Sequence, residues 1–207
     1  MNATQTEPTV FVVDDDPEMR LSFKWLIESV RLPVEVFECA EAFLQAFNPS
    51  RPGCLLLDVR MPGMGGLRLL DWLHSQGAHL PVIVFTGHGN VSMAVNALKG
   101  GAFHFIEKPV SCQQLVHCIQ DALVLDRDCR TKASKQAAIE ARLAQLTPRE
   151  HEVLERVVEG MPNKCIAMEL GITERTVEKH RESIMEKMGT HSLAKLMQMI
   201  FLCRRDG

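Results

Sequence analysis

The sequence lacks any long apolar run, although 46% of its 207 residues are hydrophobic. No run approaches the roughly 20 consecutive apolar residues that a membrane-spanning helix needs. The opening residues, MNATQTEPT, also lack the basic start and apolar core of a secretory signal. We therefore expect a cytoplasmic protein of one or two globular domains that has no membrane partner.

Cysteine clusters are missing as well. The seven cysteines are scattered along the chain, and they form neither a CxxC pair nor a Cys/His group with metal-ligand spacing. An odd number of dispersed cysteines is typical of reduced thiols in the cytosol rather than of a disulfide framework or a zinc site.

A strong positive charge is absent from the chain as a whole, because the net charge is −3. The average hides a division, however. Residues 1–126 hold 8 lysines and arginines against 14 aspartates and glutamates, a net charge of −6. Residues 127–207 hold 15 against 12, a net charge of +3. An acidic front part and a basic back part predict two modules with different partners.

The front part alternates between two periodicities. Strand patterns lie at residues 9–13, 34–37, 54–57, 81–85 and 103–106, and helical patterns follow them at 17–30, 40–47, 66–76, 90–100 and from 111 onward. Five such units predict an α/β fold with a doubly wound, five-stranded parallel sheet. The strands CLLLD and PVIVF are apolar throughout, as strands covered on both faces should be.

The back part is helical. The pattern from Ser111 continues to about Ala144 without proline or glycine while it turns polar, which predicts a helical linker; a disordered linker is the alternative. The motif LTPRE then begins a new domain, because Thr147 can cap a helix that starts at Pro148, and Glu150 completes a capping box. A compact all-α domain is predicted by four short helices near 148–159, 163–170, 174–188 and 191–202. We place the domains at residues 1–125 and 146–207, with the linker at 126–145.

Polar side chains follow the apolar strands of the front part. The first strand ends at Asp14 and Asp15, the third at Asp58, the fourth at Thr86 and the fifth near Lys108. Functional groups of parallel sheets gather at the carboxyl ends of the strands, so we expect these side chains at one edge. Clustered carboxylates need a counter-charge, which a hard cation with oxygen ligands such as Mg²⁺ supplies. One carboxylate can then act as a nucleophile toward a phosphoryl group, whose oxygens the lysine and the hydroxyl hold.

A third aspartate, Asp16, adjoins this pair. Pro17 suits the first position of a helix, and an aspartate immediately before it suits the cap. We therefore interpret Asp16 as a helix cap in preference to a metal ligand.

Four motifs, in order and at suitable spacing, resemble the receiver domain of two-component response regulators, which has a flavodoxin-like fold. They are VVDD (12–15), LLLDVRMPGMGG (55–66), VFTGHG (84–89) and FHFIEKP (103–109). The resemblance implies that a sensor histidine kinase phosphorylates Asp58, and it implies no enzyme activity beyond this Mg²⁺-dependent transfer to the chain itself. The implied metal ligands are Asp14, Asp15, Asp58 and the backbone carbonyl of Arg60. The implied phosphate-binding and switch residues are Lys108, Thr86 and Phe105.

Residues 146–200 resemble the LuxR-type helix-turn-helix domain through LTPRE, NKxIAxxLGIT, RTVEKHR and IMEKM. The predicted helix at 174–188 carries an apolar stripe of Val177, Ile184, Met185 and Met188, which should face the domain core. Its exposed N-terminal half is expected in the major groove of double-stranded DNA. Candidates to contact bases are Arg175, Thr176, Glu178 and Lys179. Candidates to contact phosphates are Asn163, Lys164, His180 and Arg181. The alternative for any one of them is a solvated charged face, and glutamates are repelled by phosphates.

Both resemblances together identify the chain as a response regulator of the FixJ/NarL class. The run VFTGHGNVSMAVNALKGGAFHFIEKP is similar to that of FixJ-like members, and it departs from them at Asn90, Ser92 and His104. The resemblance implies that phosphorylation switches homodimerisation through the fourth helix and fifth strand, about residues 88–107. Dimerisation then promotes sequence-specific DNA binding that controls transcription, with RNA polymerase as a further partner.

Two other interpretations remain. In a phosphohydrolase of the haloacid-dehalogenase type, Asp14 would be the nucleophile and Asp16 the acid/base, but no later acidic motif closes such a metal site and the back domain has no explanation. A regulator that works without phosphorylation is the second, although the full acidic set with Thr86 and Lys108 argues against it.

Overall fold

A computed structural model of the protein describes residues 7–87 and 91–204. The chain divides into two compact units, the first ending at Arg130 and the second beginning at Thr131. In the part of the chain that is described, no helix is both long and apolar enough to cross a membrane. The predicted start of the fourth helix at residue 90 lies outside the described residues.

The first unit contains a five-stranded parallel sheet with the strand order β2-β1-β3-β4-β5. The strands are β1 (Thr9–Val13), β2 (Val34–Phe37), β3 (Gly53–Leu57), β4 (Val82–Thr86) and β5 (His104–Glu107). The helices of this unit are α1 (Pro17–Ser29), α2 (Ala40–Ala46), α3 (Gly66–Ser75), α4 (Val91–Lys99) and the long α5 (Cys112–Leu143). The predicted doubly wound fold is confirmed: β1 and β2 have the predicted bounds, and the bounds of β3, β4 and β5 differ from the predicted ones by one residue.

Two apolar cores cover the two faces of the sheet. On one face, Phe11 and Val13 of β1 pack with Phe43 of α2 and Leu69 of α3. On the other face, the alternate residues of the same strands pack against Phe23 and Ile27 of α1 and against Leu115 and Ile119 of α5. The central strands β1, β3 and β4 are buried along their whole length, which explains their unbroken apolar sequence.

Helix α1 begins as its sequence predicts. Asp16 has an extended backbone, and its carboxylate accepts a hydrogen bond of 2.9 Å from the amide of Glu18. Pro17 occupies the first turn, where its missing amide proton costs nothing. Asp16 is therefore the cap of α1.

Helix α5 is tied to the sheet, at the end opposite the acidic strand ends, by an ion pair whose carboxylate is buried. The buried Asp126 carboxylate accepts a hydrogen bond of 3.0 Å from the amide of Gly53, the first residue of β3. Nε of Arg130 contacts both oxygens of Asp126, at 2.8 and 2.9 Å. The same guanidinium donates to the carbonyls of Ser50 and Arg51. The first turns of the predicted linker thus pack on the first unit, and the domain limits at 125 and 145 stay predictions.

The second unit contains α6 (Pro148–Val158), α7 (Asn163–Leu170), α8 (Glu174–Met188) and α9 (Leu193–Arg204) in addition to the end of α5. Thr147 and Glu150 form the predicted capping box of α6. The predicted apolar stripe of α8 faces the core, where Val177, Ile184 and Met188 are buried. Gly171 and Gly189 end α7 and α8 in the left-handed conformation that glycine adopts without strain.

Candidate functional site

Two buried carboxylates and one ammonium group meet at the carboxyl edge of the sheet. The side chains of Asp14 and Asp58 follow β1 and β3, and these residues are only 2% and 8% exposed. Nζ of Lys108, which follows β5, lies 3.4 Å from Oδ2 of Asp14 and 3.5 Å from Oδ1 of Asp58. The ammonium also lies 4.7 Å from the centre of the Phe85 ring. One cation thus lies between two carboxylates that are shielded from water.

Backbone amides fix the other carboxylate oxygens. Oδ1 of Asp14 accepts a hydrogen bond of 2.9 Å from the amide of Asp16, and Arg20 donates to the carbonyl of Asp14 at 2.7 Å. Oδ2 of Asp58 accepts a short hydrogen bond of 2.7 Å from the amide of Arg60. The two oxygens of Asp58 therefore differ, because Oδ2 is held by the backbone whereas Oδ1 faces Lys108.

The charge balance at Asp58 is unfavourable to the ionised form. Burial raises the pKa of the Asp58 carboxyl above its ordinary value, and the neighbouring Asp14 charge acts in the same direction. The Arg60 amide and the Lys108 ammonium oppose this shift without cancelling it. The contacts of Lys108 are also longer than the 2.7–2.9 Å that is usual for an ammonium–carboxylate hydrogen bond. The negative charge of the two carboxylates is therefore only partly compensated, and the site favours the binding of a further cation.

The remaining predicted residues of this edge differ in burial. Thr86 is the last residue of β4 and is buried, next to the strand that leads to Asp58. Phe105 lies in β5, half-buried against the core of α2, α3 and α4. Asp15 is exposed. Among residues 7–87 and 91–204, no three acidic, histidine or cysteine side chains are grouped as a ready metal site. The structure thus unites Asp14, Asp58 and Lys108, but it does not bring Asp15 into their group.

The predicted DNA-binding residues lie on α7 and on the first half of α8. Those that are exposed are Lys164, Arg175, Glu178 and Lys179, and those that are half-buried are Asn163, Thr176, His180 and Arg181. The guanidinium of Arg181 donates to Oδ1 of Asn163 at 3.1 Å, which links the two helices. Thr173 caps α8, and its hydroxyl lies 2.8 Å from that of Thr176. The first turn of α8 thus presents basic and hydroxyl groups from a fixed helix start.

Glu150 is a buried carboxylate of the second unit, and the sequence analysis predicted only its part in the capping box of α6. Glu150 accepts hydrogen bonds of 2.6 Å from Ser183 and from Lys187 of α8, and of 2.7 Å from the amide of Thr147. Burial raises the pKa of Glu150, but the bonds to Lys187, Ser183 and Thr147 outweigh it and lower the pKa to about 2. Glu150 therefore connects the start of α6 with the second half of α8. Nothing in the local sequence signals contacts that span 33 and 37 positions.

Helix α4 presents an apolar stripe to solvent. Val91, Val95 and Leu98 are 83%, 41% and 50% exposed. Of the other apolar residues in this region, Ala102 is buried and Met93 is half-buried against the core. We call Val91, Val95 and Leu98 the α4 stripe.

Comparison with known proteins agrees with both halves of this description. Residues 10–120 match the family described as the response regulator receiver domain, and residues 144–200 match the bacterial regulatory proteins of the luxR family. The chain is 43% identical to the transcriptional regulatory protein FixJ of Azorhizobium caulinodans, an alignment that covers 93% of this chain and 92% of that protein. It is 41% identical to the transcriptional regulatory protein TdiR of Thauera aromatica over 97% of this chain and 89% of that one.

Solved structures give the same result. The response regulator StyR matches with a TM-score of 0.87 and 41% identity, covering 95% of this chain and 99% of that one. Full-length FixJ from B. japonicum matches with a TM-score of 0.59 and 38% identity, covering 96% and 98%. The acidic edge of the first unit and the helical second unit are thus the two modules of one known architecture. The chain belongs to the FixJ-like two-component response regulators, which join a receiver domain to a LuxR-type DNA-binding domain and regulate transcription.

Proposed function

We propose that Asp58 is the phosphoacceptor and that a partner sensor histidine kinase supplies the phosphoryl group. The observation that carries this proposal is the position of Lys108 between the buried carboxylates of Asp14 and Asp58. An acceptor carboxylate must be presented at a fixed orientation, and the Arg60 amide holds one oxygen of Asp58. A carboxylate whose ionised form is incompletely compensated is also a stronger nucleophile than a solvated one.

In the proposed transfer, the Asp58 carboxylate attacks the phosphorus atom of a phosphohistidine. The new P–O bond forms as the P–N bond breaks, and the leaving imidazole keeps the electron pair. Lys108 and the Thr86 hydroxyl then hold the phosphoryl oxygens by charge-assisted hydrogen bonds. These bonds draw Thr86 toward the phosphate and leave space that Phe105 can enter.

The donor set fits Mg²⁺, which prefers oxygen ligands, retains several waters and uses one or two carboxylates together with a substrate phosphate. Asp14, Asp15, Asp58 and the carbonyl of Arg60 would hold the ion. When bound, Mg²⁺ supplies the positive charge that stabilises the transferring phosphoryl group. Asp15 is exposed, and the described residues hold no ready group of three such ligands, so we expect its side chain to reorient on metal binding.

The proposed output is dimerisation followed by binding to double-stranded DNA. Movement of Thr86 and Phe105 alters the surface of α4 and β5, and the α4 stripe offers apolar area for a second copy. A symmetric dimer places two copies of α8 on adjacent half-sites, with Arg175 and Lys179 toward the major groove. RNA polymerase is then the expected partner of the DNA-bound dimer.

Phosphodonor labelling tests the acceptor. The protein is incubated with acetyl phosphate and Mg²⁺, and the phosphorylated residue is identified by mass spectrometry after reduction of the acyl phosphate. We expect label on Asp58 and none in Asp58→Asn. Label that survives Asp58→Asn but disappears in Asp14→Asn would instead favour the phosphohydrolase interpretation.

Selection of bound sequences from a random DNA pool tests the output. The phosphorylated protein should enrich a site with two half-sites and bind it more tightly than the unphosphorylated protein does. Equal affinity of the two forms would favour a regulator that works without phosphorylation.

A further inference from the structure

The loop that carries Asp58 and Arg60 is closed tightly at its base. This loop, residues 58–66, connects β3 to α3, and the amide of Gly66 donates to the carbonyl of Val59 at 3.1 Å. A Cβ atom on Gly66 would lie only 2.0 Å from the carbonyl oxygen of Asp58, so no other residue permits this approach. The two ends of the loop are therefore fixed against each other beside the proposed acceptor.

The tip of the same loop is held from a different element. The amide of Met64 donates a hydrogen bond of 2.9 Å to Oε1 of Glu41, in the first turn of α2. Gly63 adopts a φ of +74°, and a Cβ atom there would lie 2.8 Å from the same carboxylate oxygen. The Glu41 carboxylate thus contacts the tip of the loop in two ways, by the hydrogen bond from the Met64 amide and by its close approach to Gly63. Its pKa is lowered, chiefly by the Met64 amide.

Arg60 lies between the closed base and the held tip. Its amide is bonded to Oδ2 of Asp58, and its carbonyl is the proposed backbone ligand of Mg²⁺. These two groups belong to successive peptide units on either side of the Arg60 Cα, so rotation of the backbone about Arg60 would displace one of them relative to the other. A tip that is free to move allows such rotation, whereas a tip bonded to α2 restrains it.

From this geometry we infer that Glu41 is a positioning residue for the phosphoacceptor site: its bond to Met64 holds the β3–α3 loop so that the amide of Arg60 faces Asp58 while its carbonyl faces the metal. The inference rests on the proposed function and assigns Glu41 no contact with the phosphoryl group. Glu41 should therefore affect the Mg²⁺ requirement of phosphorylation more than its rate at saturating Mg²⁺.

The test compares Glu41→Ala with Glu38→Ala in the full-length protein. Glu38 is exposed, three positions before Glu41, so its removal changes the net charge equally without touching the loop. Glu41→Gln keeps an oxygen acceptor for the Met64 amide. For each variant, labelling of Asp58 by acetyl phosphate is measured as a function of Mg²⁺. Two further readouts need no phosphorylation, namely Mg²⁺ binding followed by calorimetry and hydrogen exchange of the Met64 amide.

Glu41→Ala should raise the Mg²⁺ concentration for half-maximal labelling about three- to tenfold, the effect of losing one hydrogen bond, with a matching loss of Mg²⁺ affinity. Exchange of the Met64 amide should be faster, while Glu41→Gln and Glu38→Ala stay near the wild type. An Mg²⁺ dependence of Glu41→Ala equal to that of Glu38→Ala overturns the inference, even if its melting temperature falls. Absence of label from wild-type Asp58 refutes the proposed acceptor itself, and Mg²⁺ affinity and amide exchange still decide the role of Glu41.

Discussion

At the scale of single residues, Asp58 carries a cost that its proposed role explains. Its raised pKa means that the ionised carboxylate is less favourable in the folded protein than in the unfolded chain. The folded state thus binds more protons in the window between the ordinary pKa and the raised one, and stability falls as pH rises through that window. Above the window the full penalty is present.

We therefore expect Asp58→Asn to stabilise the protein at pH 7, by on the order of 1 kcal/mol. Asparagine keeps an oxygen for the Arg60 amide and removes the uncompensated charge. Thermal unfolding at several pH values measures the effect, and the gain should disappear below the ordinary pKa of the carboxyl. Asp15→Asn, at an exposed position, is the control and should change little. A melting temperature of Asp58→Asn below the wild-type value at neutral pH contradicts the prediction.

Glu150 shows the opposite behaviour. Because its pKa is depressed to about 2, its ionised form stabilises the fold at every pH above the ordinary carboxyl value. This contribution is lost as pH falls from about 4.3 toward 2. Lys187→Met removes one partner and should cost about 1.5–3 kcal/mol at pH 7, the range for hydrogen bonds to charged groups. Urea unfolding of the second unit measures this loss, and the exposed Lys179→Met should show no comparable change in midpoint.

At the scale of elements, local signals predicted most of the architecture. Unbroken apolar strands and alternating periodicity predicted the sheet. Asp16, Pro17 and Thr147 predicted the starts of two helices, because a capping residue acts on backbone groups only a few positions away. The bonds of Asp126 to Gly53, of Glu41 to Met64 and of Lys187 to Glu150 span 73, 23 and 37 positions. Such contacts depend on how the elements pack against each other. From the sequence alone, a polar residue in a helical pattern is therefore predicted to be solvent-exposed.

The acidic edge of the sheet was also predictable in part. The strand ends placed Asp14, Asp58 and Lys108 together, since parallel strands end at a common edge. From the sequence, Asp14 and Asp15 were both predicted to be metal ligands. In the structure Asp14 is buried and Asp15 is exposed. Asp14 directly follows the buried β1, whereas Asp15 lies one residue farther along, in the segment that leads to α1.

The α4 stripe yields a prediction at this scale. Val95→Glu introduces a charge at a position that is already exposed, so the monomer should change by no more than about 0.5 kcal/mol in stability. Burying that charge between two copies is unfavourable, so the dimer dissociation constant of the phosphorylated protein should rise at least about tenfold. Sedimentation velocity measures it. Leu21→Glu on α1, at a residue 48% exposed, is the matched control, and equal effects of both variants would exclude α4 as the dimer face.

At the scale of the whole molecule, the division into two units separates input from output. The first unit carries the acidic edge and the α4 stripe, and the second carries the exposed Arg175 and Lys179 on the first half of α8. To shift a two-state equilibrium from 1:99 to 99:1, phosphorylation has to supply ~5.5 kcal/mol of differential stabilisation. A few charge-assisted hydrogen bonds from Lys108, Thr86 and the backbone to a phosphoryl group are of that order.

The two tryptophans of the chain, Trp25 and Trp72, both belong to the first unit, so their fluorescence reports on that unit alone. Mg²⁺ at 100 times its dissociation constant stabilises the folded unit by about 2.7 kcal/mol, so it should raise the melting temperature seen by fluorescence by about 10 °C. The shift should shrink in Asp58→Asn. Fluorescence melting with and without chelator measures it, and an unchanged transition would count against a metal site among these carboxylates.

Asp126 and Arg130 determine where this molecule can be divided and joined to another. A chimaera that replaces the output after residue 125 discards both side chains, and the Gly53 amide then loses its buried acceptor. The damage falls on β3, whose far end carries Asp58 only about 17 Å away at ~3.3 Å per residue. A fusion that retains the native chain through Arg130 keeps the anchor of the strand that bears the acceptor. We therefore expect a receiver domain that is joined to another output domain to need the first turns of its own connecting helix.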